Sequence, residues 1–196
     1  MLERARALGF LGPGDIAGHV EHARAFASAA DGVPGRVLDL GSGGGVPGLV
    51  LASEAWTSSA WLLLDASERR CAFLVEAVAE LGLGARVEVR RDRAELAGRN
   101  PGLRAQFDAV VARGFAPPAV TAECAAPFLA VGGQALVSEP PAVEPGRWPA
   151  AELAEVGLAD EGLVEDPVHL RRLRQVGLCP DRFPRRDGVP AKRPLW

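Results

Sequence analysis

The 196-residue sequence has little that would staple, anchor or metallate it. Its three cysteines, Cys71, Cys124 and Cys179, are far apart, odd in number and form no C-x-x-C pair. That excludes a disulfide framework and a cysteine zinc site, and leaves reduced, buried thiols as the expectation. No stretch reaches about 18 uninterrupted apolar residues, which argues against a transmembrane helix. The opening Met1-Leu2-Glu3-Arg4-Ala5-Arg6 carries both charge signs and lacks an apolar run before a cleavage site, so the cytoplasm is expected rather than secretion. His19, His22 and His169 fall in no metal-ligand or triad arrangement and read as ordinary surface or capping residues; no metal is expected. A net charge of −3 gives no global drive toward nucleic acid.

What is present is the composition of an ordinary globular protein, 48% hydrophobic and 24% charged, at the length of one domain. The charge is uneven: from Arg171 to Trp196, eight Lys or Arg residues stand against only Asp181 and Asp187.

Apolar residues recur near helical spacing up to about Ala30, broken at Gly12-Pro13-Gly14, with Asp15 as N-cap of the second helix. Arg36–Leu40, Trp61–Asp65, Arg86–Arg90, Phe107–Ala112 and Gln134–Ser138 read as five strands. Helices are expected from Leu49 to about Ala55, Ser67 to Leu81 and Pro118 to Leu129. This βαβ rhythm specifies a mainly parallel, doubly wound α/β sheet with helices on both faces. Leu163-Val164 and Val168–Val176 could add an antiparallel hairpin. The chain is thus divided into N-terminal helices (1–35), a Rossmann-like core (36–178) and a basic, proline-rich tail (179–196).

The informative segment is Val37-Leu38-Asp39-Leu40-Gly41-Ser42-Gly43-Gly44-Gly45-Val46-Pro47-Gly48, a strand running into a glycine turn and then a helix. Glycine lets the backbone approach a ligand closely, and open α/β sheets bind ligands at this strand edge. Two registers compete. Gly43-x-Gly45-x-x-Gly48 matches a dinucleotide fingerprint, whereas Asp39-x-Gly41-x-Gly43-x-Gly45 looks like the first motif of class I methyltransferases. Asp65, ending the second strand, suits either, since a carboxylate there accepts ribose hydroxyls. The sequence offers no evident hydride-transfer site, which favours S-adenosylmethionine over a nicotinamide.

Beyond the loop, Leu64-Asp65-Ala66-Ser67-Glu68-Arg69-Arg70-Cys71-Ala72-Phe73-Leu74, Arg93-Ala94-Glu95, Ala112-Arg113-Gly114-Phe115 and the run Phe183-Pro184-Arg185-Arg186-Asp187-Gly188-Val189-Pro190-Ala191-Lys192-Arg193-Pro194-Leu195 form a pattern. Together with the Pro47-Gly48 that closes the loop, it resembles the bacterial small-subunit rRNA guanine-N7 methyltransferases, also called the glucose-inhibited division protein B family. The resemblance implies a Rossmann-like class I methyltransferase fold, S-adenosylmethionine as cofactor, and ribosomal RNA or the small ribosomal subunit as partner. It implies that Gly41 and Val46 touch the methionine side of the cofactor. Ala94 and Glu95 would flank the adenine, and Arg113 would line the meeting point of cofactor and substrate. With Asp39, Gly43 and Asp65 these are the candidate cofactor residues. Guanine N7 carries a lone pair and no proton, so no catalytic base is named.

Arg185, Arg186, Lys192 and Arg193 are candidate phosphate contacts, on a tail expected to be extended because of Pro184, Pro190 and Pro194. Two departures from the family's pattern stand out. The region before the first strand is short, and Glu139 stands where the family commonly has a lysine, at an edge expected to face a polyanion. These keep two alternatives open: a methyltransferase on a small molecule or another RNA, and a non-catalytic cofactor- or RNA-binding relative.

Overall fold

The computed structural model describes residues 1–142 and 144–196. Seven strands form one sheet: β1 (Arg36–Leu40), β2 (Ala60–Asp65), β3 (Val87–Arg91), β4 (Phe107–Ala112), β5 (Leu129–Ser138), β6 (Leu158–Val164) and β7 (Leu170–Gln175). Their order is β3-β2-β1-β4-β5-β7-β6. The first five pair in parallel, and β7 pairs antiparallel with both β5 and β6, so the expected hairpin is present.

The α-helices are α1 (Leu2–Ala7), α2 (Ile16–Ala29), α3 (Gly48–Glu54), α4 (Glu68–Glu80), α5 (Ala94–Ala97), α6 (Pro118–Ala125), α7 (Ala150–Glu155) and α8 (Val189–Lys192). Side chains alternate across each strand, and that alternation sorts the core into two layers. Leu38, Leu40, Leu62 and Leu64 pack with α5, α6 and α7 on one face. Val37, Leu63, Ala109 and Val111 pack with α2, α3 and α4 on the other. The α2 N-terminus is capped as its sequence predicts, Asp15 accepting from Gly18 N; at α4, Ser67, expected as the first helical residue, is the cap and accepts from Arg70 N.

Two boundaries differ from expectation. The helix expected to reach Leu129 ends at Ala125, and a 3-10 turn (Ala126–Phe128) follows. Pro127 lacks the amide that would continue the helix; Ala126 before it keeps α geometry (φ −52°, ψ −42°), and the chain becomes extended at Leu129. With the helix ended, Pro127 O accepts from Ala105 N and Phe128 O from Gln106 N, each at 2.9 Å. β5 therefore starts at Leu129, five residues before the expected Gln134, and shifts register at Gly132-Gly133. A Cβ on Gly133 would lie 2.9 Å from Ala130 O and 3.0 Å from Phe107 O, so only glycine lets the strands meet there.

The tail is extended as predicted except for α8, and it is clamped to the body. The Arg104 guanidinium donates to Phe183 O (2.7 Å) and Cys179 O (2.8 Å), and Arg93 Nε pairs with Asp187 at 2.9 Å. Arg185 points inward, its Nε and Nη2 donating to the fully buried Glu123 carboxylate at 2.9 and 2.6 Å, with Arg185 N adding a bond at 2.7 Å. A buried carboxylate that loses its cation is left uncompensated. Arg185→Leu is therefore expected to lower stability by about 3 kcal/mol, read as a drop in the urea midpoint. An unchanged midpoint would show that the pair carries no structural weight.

Candidate functional site

The chain leaves β1 in one direction to build β2 and β3, then returns to build β4 on β1's other side. The crevice beyond the carboxyl ends of β1 and β4 is the topological switch point, where open α/β sheets take ligands. Gly41 begins the loop after β1 with φ +76°, and a Cβ there would stand 2.7 Å from the Phe115 ring. Gly41 N and Ser42 N both donate to Leu64 O, tying the loop to β2.

Asp65 makes the second tie. It is buried; its Oδ2 accepts from Gly43 N at 2.9 Å and its Oδ1 from Ser67 N at 2.8 Å. A carboxylate has about four acceptor sites, so these bonds leave room for hydroxyls. Asp39 lies beneath the loop rather than in the crevice. Its Oδ2 accepts from Gly48 N at 3.0 Å, its Oδ1 is buried without a partner, and burial pushes its carboxyl up to about 7.

Two cavities meet at Gly41. One, about 220 Å³, is walled by Leu64, Ala94, Glu95, Phe115, Cys124 and, from the tail, Ala191. The other, about 250 Å³, is walled by Phe10, Gly12, Gly43, Val46, Arg70 and Arg113. Glu95 is itself buried and accepts from Gly188 N at 3.1 Å, so the tail is latched to the rim of the first cavity. Burial raises all three cysteine thiols, Cys124 in this wall included, so they stay protonated and inert.

Arg113, at the carboxyl end of β4, has no carboxylate within 4 Å among the described residues. Its partner is His19, whose Nδ1 lies 2.6 Å from Arg113 Nη2. His19 Nε2 lies 3.2 Å from Gly12 O. A carbonyl only accepts, so Nε2 holds the proton and Nδ1 receives the guanidinium's; the imidazole is neutral. His19 is thus a buried orienting group, not the surface residue that its lone position in the sequence implied. His22 is half-buried beside it, with Nε2 2.9 Å from Ser138 Oγ. Burial foremost, then the charge of Arg113, holds its imidazole down at about 4.

With this geometry in place, comparison with known proteins is decisive. A family model described as rRNA small subunit methyltransferase G matches residues 17–142. A protein of that name from Prochlorococcus marinus (strain NATL1A) is 37% identical over 174 residues, 82% of this chain and 67% of that protein. The chain belongs to this family. It is a methyltransferase, and its cofactor is S-adenosylmethionine. Among solved structures, TrmN from Thermus thermophilus superposes with a TM-score of 0.54 at 26% identity, over 78% of this chain and 48% of that one. TYW2 from P. horikoshii, in complex with MeSAdo, gives 0.61 at 16% identity over 84% and 63%, a likeness of fold.

The structure brings seven of the eight cofactor candidates to the cavities or their rim; Asp39 supports the loop from below. Sequence reasoning gave no role to Phe115, Ala191, His19 or the Phe10–Gly12 turn, though Gly12-Pro13-Gly14 marked that turn as a break. Of the basic tail candidates, Arg186, Lys192 and Arg193 are exposed and unpaired among the described residues, whereas Arg185 is spent on Glu123. Glu139 does not face outward either. Its buried carboxylate accepts from Arg147 Nε at 2.7 Å and from the Trp148 indole N–H.

His22 sets a pH dependence. The unfolded imidazole binds a proton near pH 6.5 and the folded one near 4, so its stabilising share is complete above about 6.5 and is lost as pH falls toward 4. Asp39 acts in the opposite sense but is common to wild type and variant. The urea midpoint of the wild type is expected to fall more from pH 7.5 to 5 than that of His22→Gln. Parallel falls would mean that His22 is not held neutral by its surroundings.

Proposed function

We propose that this methyltransferase transfers the methyl group of S-adenosylmethionine to N7 of a guanine in small-subunit ribosomal RNA, in the cytoplasm. The observation that carries the reading is the pair of cavities meeting at Gly41, in a chain of this family. The apolar cavity between Ala94, Glu95 and Phe115 suits the adenine, and Asp65 beside it keeps acceptor capacity for the ribose hydroxyls. The cavity holding Gly43, Val46 and Arg113 suits the methionine end. Arg113 is held by a neutral imidazole, so its full charge is available to the methionine carboxylate.

The bound cofactor supplies an electrophilic sulfonium methyl group. The chain's share of the work is to align that group with N7 and to exclude water; N7 has no proton to lose, and no side chain is assigned as base. The buried Glu139 removes the electrostatic argument against a polyanionic partner. Arg186, Lys192 and Arg193 are the cations assigned to phosphate.

Purified protein, tritiated S-adenosylmethionine and small ribosomal subunits from cells lacking this activity provide the test, with the product mapped by cleavage at N7-methylguanine. Incorporation at one guanine is expected. Subunits that accept no methyl, from protein that binds S-adenosylhomocysteine, would sink the RNA reading and leave the cofactor reading standing. Arg113→Ala is expected to weaken S-adenosylmethionine at least tenfold by calorimetry, the size of a charge-assisted bond. Replacing Arg186, Lys192 and Arg193 together with Gln should flatten the log–log salt dependence of RNA binding by about 2, since each phosphate contact contributes roughly 0.7.

A further inference from the structure

A third cavity, about 340 Å³, adjoins the adenine-side one and shares Ala116, Val120 and Ala191 with it. Its remaining walls are the Pro117-Pro118 start of α6, Pro194, Arg147 and Trp196. Trp196 is only half-buried, yet it is fixed. Its indole N–H donates to Arg147 O at 3.2 Å, and its ring meets Trp148 edge-on at 6.4 Å. Arg147 is fixed too, through Nε on Glu139, while its two terminal nitrogens have no partner among the described residues. Trp56, Trp61 and Trp148 are all buried; Trp196 is the indole left with an open face.

An indole, a planar guanidinium and proline rings form walls suited to a flat ring system. The charge around the slot says what such a ring is attached to. Lys192 and Arg193 directly precede the wall residue Pro194 and, with Arg186, are exposed and without an acidic partner among the described residues. Glu139, the acid bonded to the wall residue Arg147, is buried and neutralised by it. A stacking platform flanked by unpaired cations is how proteins take an unstacked base with its phosphates.

We propose that this slot receives one unstacked base of the RNA substrate, stacked on Trp196 and edged by Arg147, with its neighbouring phosphates on Lys192 and Arg193. The inference rests on the RNA reading above and adds to it a specific base-binding site built by the tail. The tail then has two jobs: Ala191 closes the cofactor side, and Pro194 and Trp196 open the RNA side of the same wall.

Two readouts separate this proposal from the one it rests on: anisotropy of a labelled single-stranded RNA decamer, and kcat/KM for methylation of small subunits. Trp196→Leu is expected to weaken decamer binding and to lower kcat/KM about tenfold, mainly through KM. Trp196→Phe, which keeps a stacking face, is expected to recover most of both. Affinity for S-adenosylhomocysteine should stay within twofold in each variant, which also certifies folding. Unchanged decamer binding in Trp196→Leu overturns the slot, even if the wild type methylates subunits normally. So does an equal loss of S-adenosylhomocysteine binding, which would make Trp196 a support of the cofactor wall alone. If the wild type methylates no ribosomal RNA while Trp196→Leu still loses decamer affinity and Phe restores it, the slot stands and the ribosomal assignment fails.

Discussion

The site depends on one carboxylate. Asp65 sits at the end of β2, and its two oxygens take the amide of Gly43 on one side and that of Ser67 on the other. Glycine loops are floppy by composition, and five of the eight residues from Gly41 to Gly48 are glycines with no side chain to pack. By accepting from Gly43, Asp65 makes the loop continuous with β2 and with the start of α4. Asp39 does the same from below through Gly48, at the cost of a buried carboxyl with one unpartnered oxygen. The two cavities therefore keep a fixed separation across Gly41, which one molecule spanning both requires.

The second constraint is the disposition of arginine. The chain has 22 basic residues and a single lysine, Lys192, so nearly every cation is a planar fork able to grip carboxylates and carbonyls from two directions. Many are used that way. Arg104 and Arg93 hold the tail, Arg185 neutralises Glu123, Arg147 neutralises Glu139, and Arg172 with Arg174 binds Asp31 and Glu161 at the far edge of the sheet. The strongly basic look of the C-terminal sequence thus dissolves on folding into mostly internal pairs. What survives at the surface beside the cofactor wall is the group Arg186, Lys192 and Arg193.

How much of this could be read from the sequence follows from the range of each interaction. β1, β2 and β4 were legible to within one residue because a short apolar run ending at glycine or a carboxylate is a local signal, and the central sheet positions demand it. The Asp15 cap was legible for the same reason. The end of α6 was less so, since helix and strand propensities around Ala126–Leu129 compete and Pro127 decides between them. The inward turn of Arg185 was not legible, because Glu123 is 62 residues away. Nor was the fate of Glu139: its partners are near in sequence, but only the packing of Trp148 under the tail makes that carboxylate internal.

His19 is the most instructive omission, because its role depends on being uncharged. A cation at the end of a buried strand is ordinarily steadied by a carboxylate, which would cancel its field in the crevice. Here the steadying group is 94 residues away and neutral. The Gly12 carbonyl fixes the imidazole's proton on Nε2, and the lone pair on Nδ1 orients Arg113 without discharging it. Burial already disfavours the Arg113 charge, so the fold retains a desolvated, uncompensated cation at the mouth of the methionine-side cavity. Such an arrangement costs stability in the unliganded chain and recovers it when an anion arrives. The N-terminal helices thus do more than cover one face of the sheet. By bringing His19 and the Phe10–Gly12 turn over the glycine loop, they turn an ordinary strand end into a site with a preference for a negatively charged group.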